Sequence, residues 1–281
     1  MKMRLRMFLA LLALVLAGRA SAQVTREQVV RIPATDGTSM IATVMRPAGN
    51  ERRPLVVINH GSPADSSHRS TMARPRYDAL SSWFIARGYV VVLPVRRGYG
   101  ETGGEWAESY GNCETPDYYN AGLHGGADIR AALDLVRKQP YVLPDRSIVV
   151  GQSAGGWATL ALSSQNPPGV SGMIDFAGGR GGRQHLPDGS IGNCTPNALV
   201  TAAGKYGATA RVPTLWISTA NDSFFEPRLV RRMFEAYTAA GGRGIYKPLG
   251  AFASDGHMLA GSTDGVSMWS GPVADFLANL K

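Results

Sequence analysis

Short apolar runs alternate along this chain with longer stretches in which apolar residues recur every three or four positions. Glu27 to Ile32 and Met40 to Met45 read as two antiparallel strands around the turn Asp36-Gly37-Thr38. Leu55-Val56-Val57-Ile58-Asn59 is continuously apolar up to its last residue, as expected of a strand covered on both faces. Pro75 to Arg87 places Leu80, Trp83 and Phe84 at helical spacing and ends at Gly88, and Tyr89 to Val95 reads as a further buried strand. Beyond these, the pattern predicts strands over 147–150, 170–176, 214–218 and 244–248, and helices over 127–138, 154–164, 227–240 and 266–280.

Alternation of this kind implies a mostly parallel, twisted sheet of about eight strands, with right-handed crossovers and helices on both faces. Binding sites in such sheets lie beyond the carboxyl ends of the strands. Two connections, 96–123 and 177–211, are longer than a compact unit needs. Both leave from carboxyl ends, so they are expected to overhang the site as lids.

The first residues stand apart from this pattern. Lys2, Arg4 and Arg6 form a basic start, Met7 to Ala17 an apolar run, and Ala20-Ser21-Ala22 a small-residue stretch of the kind a signal peptidase reads. Residues 1–22 are therefore expected to be a cleaved signal peptide, with 23–281 a single domain in the periplasm or outside the cell. The run falls short of the ~20 residues needed to span a bilayer, and no later stretch qualifies, so no stable membrane insertion is expected after cleavage. Four of the formal +8 charges belong to this segment, which has no acidic residue. The remaining Lys and Arg are scattered, which is not the clustered footprint of a nucleic-acid partner.

The two cysteines lie in similar surroundings, Gly111-Asn112-Cys113-Glu114-Thr115-Pro116 and Gly192-Asn193-Cys194-Thr195-Pro196, one in each long connection. In an oxidising compartment an even pair favours a disulfide, which here would tie the two lids together. Two cysteines without matched histidine spacing give too few ligands for a metal site, and no metal or organic cofactor is implied.

Val149-Val150-Gly151-Gln152-Ser153-Ala154-Gly155-Gly156 carries a G-x-S-x-G pattern. With 34 glycines in 281 residues, the pattern alone says little. Its place says more. Ser153 falls directly after the strand 147–150 and directly before the helix beginning near Ala154, the strand–turn–helix setting of a nucleophile elbow. Glycines let the backbone turn this tightly, and the helix N-terminus presents free N–H groups to developing negative charge.

A serine hydroxyl needs a positioned base, itself oriented by a third group, in the chain order Ser, acid, His. His257 follows the last strand and is the expected base. His185 lies in the long insertion ahead of the candidate acid, and His60, His68 and His124 precede the serine. Asp222, just after the strand 214–218, is the expected acid. Asp175, at the end of the preceding strand, and Asp255, in the loop of His257, are its rivals. The backbone N–H groups of Ala154 and Ser62 are the expected oxyanion donors. His60 is read as structural and Trp157 as core, while Arg96, Arg97, Tyr99 and Trp106 are read as ion-pair and core residues before substrate contacts.

At these residues the chain resembles the serine α/β-hydrolases. NHGSP, RRGYGETGG, VVGQSAGG, STANDSFFEP and SDGHM stand in that family's order and span most of 23–281. The glycine-rich loop at 96–104 is similar to that of the dienelactone hydrolase and prolyl-oligopeptidase-like branch. Dienelactone hydrolases proper carry a cysteine where this chain has Ser153, and prolyl oligopeptidases carry a propeller for which this chain has no room. The resemblance implies an α/β-hydrolase fold and an exported, carboxylesterase-like enzyme acting on a small ester. Peptide or amide hydrolysis by the same triad, or a non-catalytic binding role, are the alternatives. Dehalogenase and epoxide-hydrolase chemistry in this fold needs an aspartate at the elbow.

Overall fold

The structure is a computed structural model that describes residues 25–186 and 189–280. The expected signal peptide, residues 1–22, lies outside the described residues. Eight strands form one sheet: β1 (Thr25–Pro33), β2 (Ser39–Pro47), β3 (Arg53–Asn59), β4 (Val90–Pro94), β5 (Val142–Gln152), β6 (Val170–Phe176), β9 (Thr214–Thr219) and β10 (Gly244–Leu249). β7 (Gln184–His185) and β8 (Ile191–Gly192) make a separate small hairpin. The sheet order is β1-β2-β4-β3-β5-β6-β9-β10, antiparallel between β1 and β2 and between β2 and β4, and parallel from β4 onward.

Side-chain alternation assigns the two faces. Val56, Ile58, Val91, Leu93, Ile148, Val150, Leu215 and Ile217 point to one layer, which α1 (Asp78–Ile85) and α6 (Val266–Ala278) cover with Trp83, Phe84, Trp269 and Phe276. Leu55, Val57, Val90, Val92 and Val149 point the other way, against Ile129 and Leu133 of α2 (Tyr118–Val136) and Ala158 and Leu162 of α3 (Ala154–Ser163). Trp216 turns to the same side, into a cluster with α4 (Pro196–Gly207) and α5 (Pro227–Ala239). This is the three-layer architecture of the α/β-hydrolase fold, and the reading of continuous apolar runs as two-faced strands agrees with it.

Two segments differ from the sequence reading. α2 begins at Tyr118 rather than near residue 127, because Gly122, Gly125 and Gly126 conceal a helix that they in fact serve. A Cβ at Gly125 would come within 2.8 Å of the Ala158 Cβ, and one at Gly122 within 3.0 Å of Trp157 Nε1, so these glycines let α2 lie against α3. The helical penalty of glycine, ~1 kcal/mol each, is offset by that packing. The connection 177–211 is not a plain loop either, since it holds the β7–β8 hairpin and α4. α4 carries signals that were legible: proline in its first turn, then Leu199, Ala202, Ala203 and Tyr206 at helical spacing and buried.

Candidate active site

β5 runs straight into α3, and Ser153 is the hinge between them, with φ 56° and ψ −120°. That conformation is costly for a residue with a Cβ, and its surroundings hold it. The Ser153 N–H donates to the Phe176 carbonyl at 2.9 Å. A Cβ at Gly155 would overlap the carbonyl oxygens of Asn59 and His60, and one at Gly156 would overlap Asp175 Oδ1. The glycine pattern is therefore a requirement of close packing between the elbow, the end of β3 and the end of β6.

The loop after β3 abuts the elbow. A Cβ at Gly61 would lie 3.2 Å from the Ser153 Cβ. The Gly61 N–H donates to the Tyr77 hydroxyl at 3.1 Å, and that hydroxyl donates to Gln152 Oε1 at 3.0 Å. Gln152 Nε2 in turn donates to the His257 carbonyl at 3.1 Å, so one chain of hydrogen bonds joins the upstream loop, the elbow and the histidine loop. The Ser62 and Ala154 residues both line the cavity next to Ser153, and their N–H groups have no acceptor among the described residues.

His257 and Asp222 are paired. Imidazole Nδ1 lies 3.0 Å from Asp222 Oδ2 and 3.1 Å from Oδ1, with both residues buried. Asp222 Oδ1 also accepts the N–H groups of Phe224 and Phe225 at 2.8 and 2.9 Å, which fixes the carboxylate after β9. The imidazole stacks on Phe224, with ring centroids 4.1 Å apart. Phe224 and Phe225 line the same cavity as Ser153, so the ring stacked on His257 and the serine face one cavity. No hydrogen bond joins Ser153 Oγ to the imidazole in this structure. Such bonds often tighten only with substrate bound.

The two rival carboxylates have other partners. Asp255 caps the short 3₁₀ helix Gly256–Gly261: its Oδ1 accepts His257 N–H at 3.0 Å and Ser223 N–H at 3.1 Å, and its Oδ2 accepts the Ser223 hydroxyl at 2.6 Å. It ties the Asp222 and His257 loops together without touching the imidazole. Asp175 sits buried behind the elbow helix. Burial drives its carboxyl well above the usual range, and the Asp222 charge adds to this against a hydrogen bond from the Gly178 N–H. His60 is structural, as expected. Its Nδ1–H donates to the Gly61 carbonyl at 2.7 Å and its Nε2 accepts the Arg96 N–H at 3.2 Å, and burial holds the ring neutral.

Cys113 and Cys194 form a disulfide, Cα atoms 5.3 Å apart, and it joins the two long connections as expected. Beside it runs a feature that no local pattern announced. Arg96 and Arg180, both buried, share the buried carboxylate of Glu108. The Tyr99 hydroxyl donates to Glu108 Oε2 at 3.1 Å and accepts from Trp106 Nε1 at 3.0 Å. Burial raises the Tyr99 hydroxyl, but the Arg180 and Arg96 charges outweigh it and bring its pKa down to about 8. Arg97 pairs with Asp128 at 2.7 Å and Asp36 at 2.6 Å, so Arg96 and Arg97 are the structural ion-pair residues that the sequence suggested. Trp157 is likewise core, its Nε1–H donating to the Tyr118 carbonyl at 2.8 Å. Trp106, however, lines the cavity of about 610 Å³ over Ser153, and so do Arg69, Arg180 and Arg183.

The model of the prolyl oligopeptidase family matches residues 75–169. Dipeptidyl-peptidase 5 of Porphyromonas gingivalis is 27% identical over 150 residues, 51% of this chain but 20% of that peptidase. The chain thus spans about a fifth of the length of this curated relative. Among solved structures, a putative dienelactone hydrolase from Klebsiella pneumoniae superposes with a TM-score of 0.58 at 16% identity, covering 91% of this chain and 99% of that one. Acetyl xylan esterase from Paenibacillus sp. R4 superposes with a TM-score of 0.61 at 16% identity, covering 93% of this chain and 90% of that one. Together these likenesses place the chain in the α/β-hydrolase fold, with residues 75–169 similar to the prolyl oligopeptidase family.

Proposed function

We propose that this chain is an exported serine hydrolase that cleaves carboxylic esters. The observation that carries the reading is the buried Asp222–His257 pair beside a serine held at φ 56° on a strand–helix turn. Ser153 Oγ attacks the ester carbonyl while His257 Nε2 takes its proton, and Asp222 holds the Nδ1–H tautomer and stabilises the imidazolium. The Ala154 and Ser62 N–H groups receive the oxyanion. Collapse expels the alcohol, which takes the proton from His257, and water releases the acid by the same steps in reverse. Export is supported by the leader-like residues 1–22 and by the disulfide. Among the described residues, no helix is long and apolar enough to cross a membrane.

Ester cleavage is favoured by solved neighbours matched over nearly their whole length, among them an acetyl xylan esterase and a putative dienelactone hydrolase. Peptide or amide cleavage is the second reading, favoured by the prolyl oligopeptidase family match and the dipeptidyl-peptidase relative. A panel of p-nitrophenyl esters, p-nitroanilides and dipeptides ranks the two. The mechanism is checked with Ser153→Ala, for which ester turnover should fall on the order of 10⁶-fold, with loss of fluorophosphonate labelling. Turnover within tenfold of the parent sinks it.

A further inference from the structure

Among the described residues, the cavity over Ser153 is lined by three arginines, Arg69, Arg180 and Arg183, against the one acidic side chain of Asp65. Asp65 is spent locally: its Oδ1 accepts the N–H and the hydroxyl of Ser67, each at 2.8 Å, and it pairs with none of the arginines. The Arg69 guanidinium lies 3.8 Å over the Trp106 ring, and that of Arg183 lies 5.1 Å from the Phe224 ring centroid. Neither side chain forms an ion pair or a hydrogen bond within the described residues. An aromatic ring occupies one face of a guanidinium and leaves its in-plane N–H donors free, and those donors match the two oxygens of a carboxylate.

The buried cluster on the cap side of the cavity adds to the same field. Arg180 is 4% exposed, shares Glu108 with the buried Arg96, and leaves its Nε without a hydrogen-bond partner. Two buried guanidiniums against one carboxylate leave positive charge in excess beside the cavity, a costly arrangement that an anion at the cavity wall relieves. Phe224 places the arrangement next to the chemistry, since the ring under Arg183 is also the ring stacked on His257.

We propose that the site selects substrates that carry a carboxylate besides the bond to be cleaved, held by Arg69 and Arg183 against Trp106 and Phe224. The inference rests on the serine-hydrolase reading for the cleavage step but not for the binding step. It takes the substrate class from "an ester" to the monoester of a dicarboxylic acid, or an ester of comparable charge.

The test compares mono-p-nitrophenyl glutarate with the neutral p-nitrophenyl valerate. Two charge-assisted contacts should favour the glutarate by at least about tenfold in kcat/KM, mostly through KM. In Arg69→Gln/Arg183→Gln the glutarate-to-valerate ratio should fall to about 1, and added salt should erode the preference in the parent alone. Calorimetry of free glutarate with Ser153→Ala, with and without the two arginine changes, reads binding apart from catalysis. Equal turnover of the two esters by an active, probe-labelled parent overturns the carboxylate site and leaves the hydrolase reading standing. If neither ester turns over and no probe labels Ser153, the hydrolase reading falls instead. Glutarate binding that disappears with Arg69 and Arg183 then still upholds the carboxylate site, and absence of binding overturns it.

Discussion

A methyl group added at Gly151, Gly155 or Gly156 would overlap neighbouring atoms outright, whereas one added at Gly111 or Gly189 would meet nothing within 4 Å. The first three glycines belong to the floor of the cavity, where the elbow, the end of β3 and the end of β6 press together. The other two belong to the cap made by the long connections, and there glycine answers only to a left-handed backbone, φ 79° and 82°. The floor is specified by contact. The cap is specified by charge and by covalent linkage: Glu108 between two arginines, Cys113 bonded to Cys194, and the Thr195 hydroxyl donating to the Cys113 carbonyl at 2.5 Å. Errors of a few tenths of an ångström matter in the first region, and loss of a partner matters in the second.

The largest expected effect lies in the cap. Glu108→Gln leaves Arg96 and Arg180 buried without a counter-charge and should destabilise by about 3–5 kcal/mol, read as a lower denaturant midpoint at unchanged slope. A change of under 1 kcal/mol would mean that the guanidiniums find solvent. Next comes the disulfide, which closes 81 residues of sequence separation. Cys113→Ser/Cys194→Ser should lose about 2–4 kcal/mol in the chain-entropy account, with turnover of a neutral ester kept within tenfold because only the cap is released. Two free thiols in the denatured, unreduced parent would remove the premise.

On the floor, Gly155→Ala should cost turnover first. Displacing the elbow by about 1 Å is worth on the order of 10²-fold in kcat, while Gly111→Ala should stay within twofold. Similar activities for the two variants would erase the contrast between floor and cap.

The smallest effect is a pH slope. His60 is held neutral by burial, so its folded pKa lies well below 6.5 and the unfolded chain binds the extra proton first. Its contribution is complete above pH 6.5 and is lost as pH falls below that value, with a slope of at most about 1.4 kcal/mol per pH unit. Asp175, whose folded pKa is raised, works in the opposite sense above the ordinary carboxylate range. Denaturant midpoints at pH 7.5, 6.5 and 5.5 should therefore decline less steeply in His60→Gln than in the parent, and parallel profiles would show that the ring titrates freely.

The floor was legible in the sequence because its constraints are local. Strand, glycine, serine, glycine and helix follow one another within a dozen residues, and Asp222 and His257 follow in the order that the geometry needs. The cap was not, because its determinants are pairs far apart in sequence. Glu108 meets Arg180 across 72 residues, and nothing in "AES" or "GGR" announces it. Arg69 and Arg183 read as surface charge until the fold sets their guanidiniums on Trp106 and Phe224. The early start of α2 was hidden for a related reason: glycine lowers intrinsic helicity, and only the approach of α3 explains its presence there.

The ladder between the central strands has a consequence of its own. At the carboxyl ends the pairing is unbroken, Asn59 opposite Gly151 and Gly151 opposite Asp175, with the Asn59 amide donating to the Val150 carbonyl at 2.9 Å. The irregularities fall at the other end, between Arg53 and Leu55 on β3 and between Ser147 and Ile148 on β5. The extra residues are thus accommodated at the amino ends of these central strands, around residues 142–147. One residue inserted between Ile148 and Gly151 would instead advance Ser153 by about 3.3 Å and exchange the faces of the strand. The sheet acts as a ruler read from its carboxyl end, and the lengths of the loops behind it are free to drift.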